Sequence, residues 1–146
     1  MNLPAYLKAL GYIEVPLTVT RVNHIVVHAK VNGEDVVLIV DTGASRTCIA
    51  ESSAERLGLI SGRVEKVAVS FALPKKTRAL SKMKTLDIGA LHLTNFETWL
   101  VDFSYINMIV QWQSEEFCDG VLGADILKLT SAVIDYRCCK MYLKGA

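Results

Sequence analysis

The stretch LIVDTGASRT, residues 38–47, runs three aliphatic residues straight into Asp41, Thr42 and Gly43. An aspartate after a strand is common, because its side chain caps turns. Here the preceding VVLIV, residues 36–40, reads as buried on both faces, so the carboxylate is delivered at the end of a core element. Thr42 adds a hydroxyl, and Gly43 lets the backbone approach a partner closely. Ala44 and Ser45 keep the turn small. A carboxylate presented in this way can act as a general acid or base. A second unusual stretch, DGVLGADIL, covers residues 119–127. Two aliphatic residues precede Gly123, and a helix is expected to open near Gly123 or Asp125.

Other chemistry-bearing residues give weaker patterns. His24 and His28 fall on one face of a strand, about 13 Å apart at roughly 3.3 Å per residue, too far for one ion. Cys118, Cys138 and Cys139 lack the paired spacing of a zinc site. No metal site and no cofactor are expected. Trp99 and Trp112 read as core or cleft wall. Cys48 and Cys118 read as small core residues.

The elements around Asp41 follow from local rules. LPAYLKAL, residues 3–10, reads as a short helix with Pro4 near its start and Gly11 as its stop. IEVPLTVT and the runs flanking Asn32-Gly33 are rich in β-branched residues. Asn-Gly between such runs predicts a tight hairpin, whose second strand leads to Asp41. ESSAERLGL, residues 51–59, predicts a short surface helix, with Ser52 and Glu55 at capping-box spacing and Gly58 at C′. Strands are expected over 63–73, 79–89 and 91–102, with PKKTR, residues 74–78, as a turn. Residues 104–114 are assigned to helix. The tail, residues 131–143, predicts a hairpin turning near Arg137-Cys138. Together these predict a mainly β, closed, barrel-like domain over residues 1–146 with two or three short helices. Residues 1–12 form its N-terminal helical segment.

Composition supports this frame. The 146 residues are 51% hydrophobic with a formal charge of +1. That suffices for a sizeable core and gives no electrostatic case for nucleic acid or a strongly anionic membrane. The start, MNLPAYLKALGY, lacks the pattern of a secretory signal. The longest aliphatic run is far too short to span a bilayer. A cytoplasmic location with reduced cysteines is expected.

Taken together, Asp41-Thr42-Gly43-Ala44-Ser45 and the later Val121-Leu122-Gly123 resemble the retropepsin-like aspartic proteases. The likeness runs from about Asn23 to Leu143, and the tail looks more like the bacterial and cellular members than the retroviral ones. The resemblance implies the retropepsin fold and a role for each matching residue. Asp41 would be the catalytic aspartate, and the Thr42 hydroxyl would bond across to an opposite loop. The Gly43 backbone would face the substrate, with Ala44 and Ser45 lining the cleft. Val121, Leu122 and Gly123 would support the loop. Asp125 would hold the helix start, bonding Thr47 or pairing with Arg46. A flap would cover the cleft, and the matching segment is Phe71, Ala72, Leu73, Pro74, Lys75 and Lys76. It has no glycine and is basic, which makes its charges solvated loop residues, or else signs of a preference for acidic substrate segments or of an inactive resting state.

Peptide hydrolysis by this chemistry needs two carboxyl groups sharing one proton. One draws a proton from water while the other donates to the scissile carbonyl. The sequence has one Asp-Thr-Gly; Asp87-Ile88-Gly89, Asp102-Phe103, Asp119-Gly120 and Asp125-Ile126 do not match it. The expectation is therefore a homodimer that cleaves peptide or protein substrates with one Asp41 from each chain. The alternative is a non-catalytic peptide-binding or dimerisation module on the same fold.

Overall fold

The structure is a computed structural model. It describes residues 2–67, 76–104 and 118–145, with side chains for all of these but 65–67, 76 and 77.

Helix α1 (Leu3–Ala9) starts at Asn2, whose Oδ1 accepts from the Ala5 N–H at 2.9 Å. It stops before Gly11, which takes φ +84. Leu7 points inward at 5% exposure, whereas Tyr6 is exposed. Strands β1 (Tyr12–Pro16) and β2 (Thr18–Val19) divide the expected first strand in two. Strands β3 (Ile25–Val31) and β4 (Glu34–Val40) form the expected hairpin. Asn32 and Gly33 at its tip have φ of 51 and 83, the two positive values a tight primed turn needs. Asn32 also ties the hairpin to the barrel. Its Oδ1 accepts from the N–H groups of Lys84 and Thr85, and its Nδ2 donates to the Leu57 carbonyl.

The chain continues through β5 (Cys48–Ala50), β6 (Val64–Val67), β7 (Lys76–Ile88), β8 (Leu91–Val101) and β9 (Gly120–Leu122). Helix α2 (Ala124–Leu129), β10 (Val133–Asp135) and β11 (Lys140–Lys144) complete it. Strands β3, β4, β9, β5, β8 and β7 are neighbours in that order, and β7 pairs back onto β3 through Lys30↔Asp87 and Val31↔Leu86. This closes a six-stranded barrel. A second sheet, ordered β1-β11-β10, lies beside it. The core includes Leu38, Ile49, Met83, Leu86, Leu122 and Leu143, all at 3% exposure or less. Each such side chain contributes about 1.5–3 kcal/mol by leaving water.

Four expectations are corrected. In β4 only Val36, Leu38 and Val40 are buried; Val37 and Ile39 are half-buried, so the strand has one core face rather than two. Residues 51–59 form a 3₁₀ turn at Glu51–Ser53 rather than a surface helix. Gly58 (φ +65) then closes the segment, with Gly58 N–H donating to Glu55 O and Leu59 N–H to Ala54 O, a Schellman motif. Ser52 caps nothing, whereas Ser53, Leu57 and Leu59 turn inward. Finally, Lys76, Thr77 and Arg78 are not turn residues but open β7, opposite Val67, Lys66 and Glu65. Residues 68–75 and 105–117 lie outside the described residues. The proposed tip Phe71–Lys75, Trp112 and, beyond Ser104, the helix over 104–114 therefore fall there.

Candidate active site

Asp41 lies just past the end of β4. Strand β9 runs parallel to β4 (Ile39↔Val121, Val40↔Leu122) and antiparallel to β5 (Cys48↔Val121, Ile49↔Gly120). It therefore sits between the strand that enters the Asp41 loop and the strand that leaves it. The Asp41 N–H donates to the Leu122 carbonyl at 3.0 Å, and the Ala124 N–H donates to the Ala44 carbonyl at 2.7 Å. Asp41 Oδ1 accepts from the Gly43 N–H at 2.8 Å, which fixes the carboxylate over its own turn. Asp41, Thr42, Gly43, Ser45 and Arg46 are exposed and Ala44 is half-buried. One chain thus presents one carboxylate on an open loop.

The glycines of the supporting segment are steric requirements. A Cβ on Gly123 would stand 2.5 Å from the Arg46 carbonyl carbon and 2.7 Å from its oxygen. A Cβ on Gly120 would stand 2.1 Å from the Cys48 carbonyl oxygen. Both glycines let β9 press against the backbone of the loop and of β5.

Asp125 holds the far side of the loop. Both its carboxylate oxygens accept from the Thr47 N–H at 3.0 Å, and Oδ1 also accepts from Thr47 Oγ1 at 2.7 Å. Thr47 Oγ1 in turn accepts from the Gly123 N–H at 3.0 Å. Thr47 is fully buried, and its carbonyl accepts from Thr98 Oγ1 at 3.0 Å. Of the two partners considered for Asp125, the structure selects Thr47. Val121, Leu122, Gly123 and Asp125 are thus brought together beneath residues 41–47.

Asp119 is a feature that the sequence reading missed. It is 4% exposed and accepts from Val37 N–H (2.8 Å), Ser53 Oγ (2.8 Å) and Arg56 Nη2 (2.6 Å). Its own N–H donates to the Val37 carbonyl, and its carbonyl accepts from the Ala50 N–H. It anchors the start of β9 as Asp125 anchors the segment after it. An acid directly before a glycine and an aliphatic pair is a weak signal, and its partners lie 63 to 82 residues away.

Cys48 follows the loop. Burial pushes its thiol up to about 11; Asp125 adds to this, and the charges of Arg78 and Arg46 oppose it. Burial likewise raises Cys118. Trp99, 6% exposed, lies opposite Cys48 across the β5–β8 pair, and the Arg78 guanidinium stacks 3.7 Å from its ring centroid.

Solved structures share this architecture. A retropepsin-like aspartic protease from Rickettsia conorii superposes with a TM-score of 0.60 at 20% identity, covering 91% of this chain and 90% of that one. The EIAV protease bound to an inhibitor gives 0.50 at 16% identity, covering 70% and 84%. The retroviral protease-like domain of Ddi1 from Leishmania major gives 0.50 at 17% identity, covering 77% and 81%. At these identities the likeness establishes the retropepsin fold. A search of curated proteins returns no match. The aspartyl protease family model matches residues 27–126, from within β3 to within α2. On that match over most of its length, the chain belongs to the aspartyl protease family.

Proposed function

We propose that the protein is an aspartic endopeptidase whose active site is a pair of Asp41 carboxylates, one from each chain of a homodimer. The observation that carries this reading is the exposed Asp41 on a loop held from below by Leu122, Gly123 and Asp125. A rigid support beneath an open carboxylate suits a group that must meet a second carboxylate at fixed distance. Two such groups share a proton and titrate as a pair. The ionised member activates water; the protonated member donates to the scissile carbonyl and stabilises the tetrahedral intermediate. The exposed Thr42, Gly43 and Ser45 and the half-buried Ala44 flank the site as cleft lining and as a contact for the second loop. The substrate is an extended peptide or protein segment. The segment around Phe71–Lys76 is the proposed cover. The four free cysteines support a reducing, cytoplasmic setting. Among the described residues, no helix is long and apolar enough to cross a membrane.

The test is cleavage of a peptide library at mildly acid pH by the parent protein and by Asp41→Asn. The parent is expected to cut with sensitivity to a pepstatin-type inhibitor, and the variant to be inactive. Equal cleavage by both removes the mechanism. Peptide binding without cleavage by the parent indicates a binding module.

A further inference from the structure

The exit of the Asp41 loop carries a cationic corner. Arg46 is exposed, and it forms no ion pair among the described residues. Asp125 is committed elsewhere, to Thr47 N–H, Thr47 Oγ1 and its neighbour's Ile126 N–H. Two residues beyond Arg46, Cys48 lies directly opposite Trp99. Arg78 pairs with Val101, which places it diagonal to Trp99 on the same face of the β7–β8 ladder. The charges of Arg46 and Arg78 both oppose the burial that raises the Cys48 thiol.

Trp99 adds an independent observation. Its side chain is buried, yet its indole N–H has no acceptor among the described residues. Buried polar groups are ordinarily hydrogen-bonded, and an unsatisfied one costs about 1–3 kcal/mol. Here the donor lies under a guanidinium and beside the loop that carries Asp41. It is a donor that an incoming acceptor would satisfy.

We propose that this corner is a specificity subsite for an acidic substrate side chain, with Arg46 as the pairing residue and the Trp99 N–H as a second donor. Arg78 holds the indole plane. The inference rests on the endopeptidase reading for the direction of the cleft. It adds to that reading the class of peptide taken: one with Asp or Glu displaced from the scissile bond. Because a homodimer has two such corners, acidic residues are favoured on both sides of the bond.

The test uses matched peptides with Glu, Gln or Lys at each position around the scissile bond. Cleavage by the parent protein is read together with binding to Asp41→Asn. The Glu peptide is expected to exceed the Gln peptide by about tenfold in kcat/KM and in affinity at low salt, as for a charge-assisted hydrogen bond. Arg46→Lys keeps part of this preference, Arg46→Glu reverses it towards Lys, and Trp99→Phe weakens it several-fold while retaining the ring. Cleavage with no Glu preference overturns the subsite and leaves the endopeptidase. Absent cleavage, with a Glu preference in binding that Arg46→Glu reverses, retains the subsite and overturns the endopeptidase. Neither cleavage nor a charge preference in binding overturns both.

Discussion

Thr47 and Asp125 are 78 residues apart in sequence and share three hydrogen bonds, with the Thr47 hydroxyl 2.7 Å from the Asp125 carboxylate. Replacing Asp125 with Ala strands the buried Thr47 N–H and hydroxyl. The loss is expected to be about 1.5–3 kcal/mol, the range for hydrogen bonds to charged groups. Asp125→Asn keeps one acceptor and is expected to lose less. Urea unfolding of both variants checks the order.

Gly123 offers a sharper steric test. Alanine there puts a Cβ 2.5 Å from backbone that cannot swing aside. Gly123→Ala is expected to destabilise by about 1–3 kcal/mol and to displace the Asp41 loop, abolishing cleavage. Gly43→Ala meets only Asp41 Oδ1, at 3.2 Å, and is expected to cost less stability. Thermal melts of the two variants side by side separate the cases.

Asp119 is paired with Arg56, but the pair is lopsided: the carboxylate side chain is 5% exposed and the guanidinium side chain 46%. Asp119→Ala leaves the Val37 N–H and Ser53 hydroxyl without their acceptor. It is expected to destabilise by about 3 kcal/mol. Arg56→Ala keeps those bonds but leaves the buried carboxylate without its cation, and is expected to cost as much or more. Denaturant midpoints decide between this order and its reverse.

The thiols are expected to react in a fixed order. Burial raises Cys48 to about 11, so little thiolate is present near neutral pH. Cys138 and Cys139 are exposed. Alkylation at pH 8 followed by mass spectrometry should label Cys138 and Cys139 first, and Cys48 and Cys118 only on unfolding. The sign for stability follows from the same shift. With the folded value above the ordinary 9.0, the unfolded chain ionises first, so this contribution is full below about pH 9 and is lost as pH rises towards about 11.

What the sequence made legible was what local chemistry controls. Asn32-Gly33 has to turn, because both residues tolerate positive φ. Gly123 before a helix, and a strand ending on Asp41, marked the two halves of the support. The resemblance supplied the link between them. Residues 51–59 misled, because helical spacing there was overridden by Ser53 turning in to Asp119, 66 residues away. Asp119 itself was silent for the same reason: its meaning lies in Val37, Ser53 and Arg56, none of them adjacent in sequence. Val37 and Ile39 looked buried because hydrophobicity alone does not separate a core face from the half-covered face of a barrel strand.

The central claim is that one active site uses Asp41 from two chains. Parent and Asp41→Asn chains should be mixed in equal amounts, dissociated and reassembled, and then assayed at constant total protein. If both carboxylates are required, a random mixture retains about one quarter of the parent activity, and activity follows the square of the parent fraction. Retention of about one half, falling linearly with the parent fraction, would show that each chain works alone and would contradict the shared dyad.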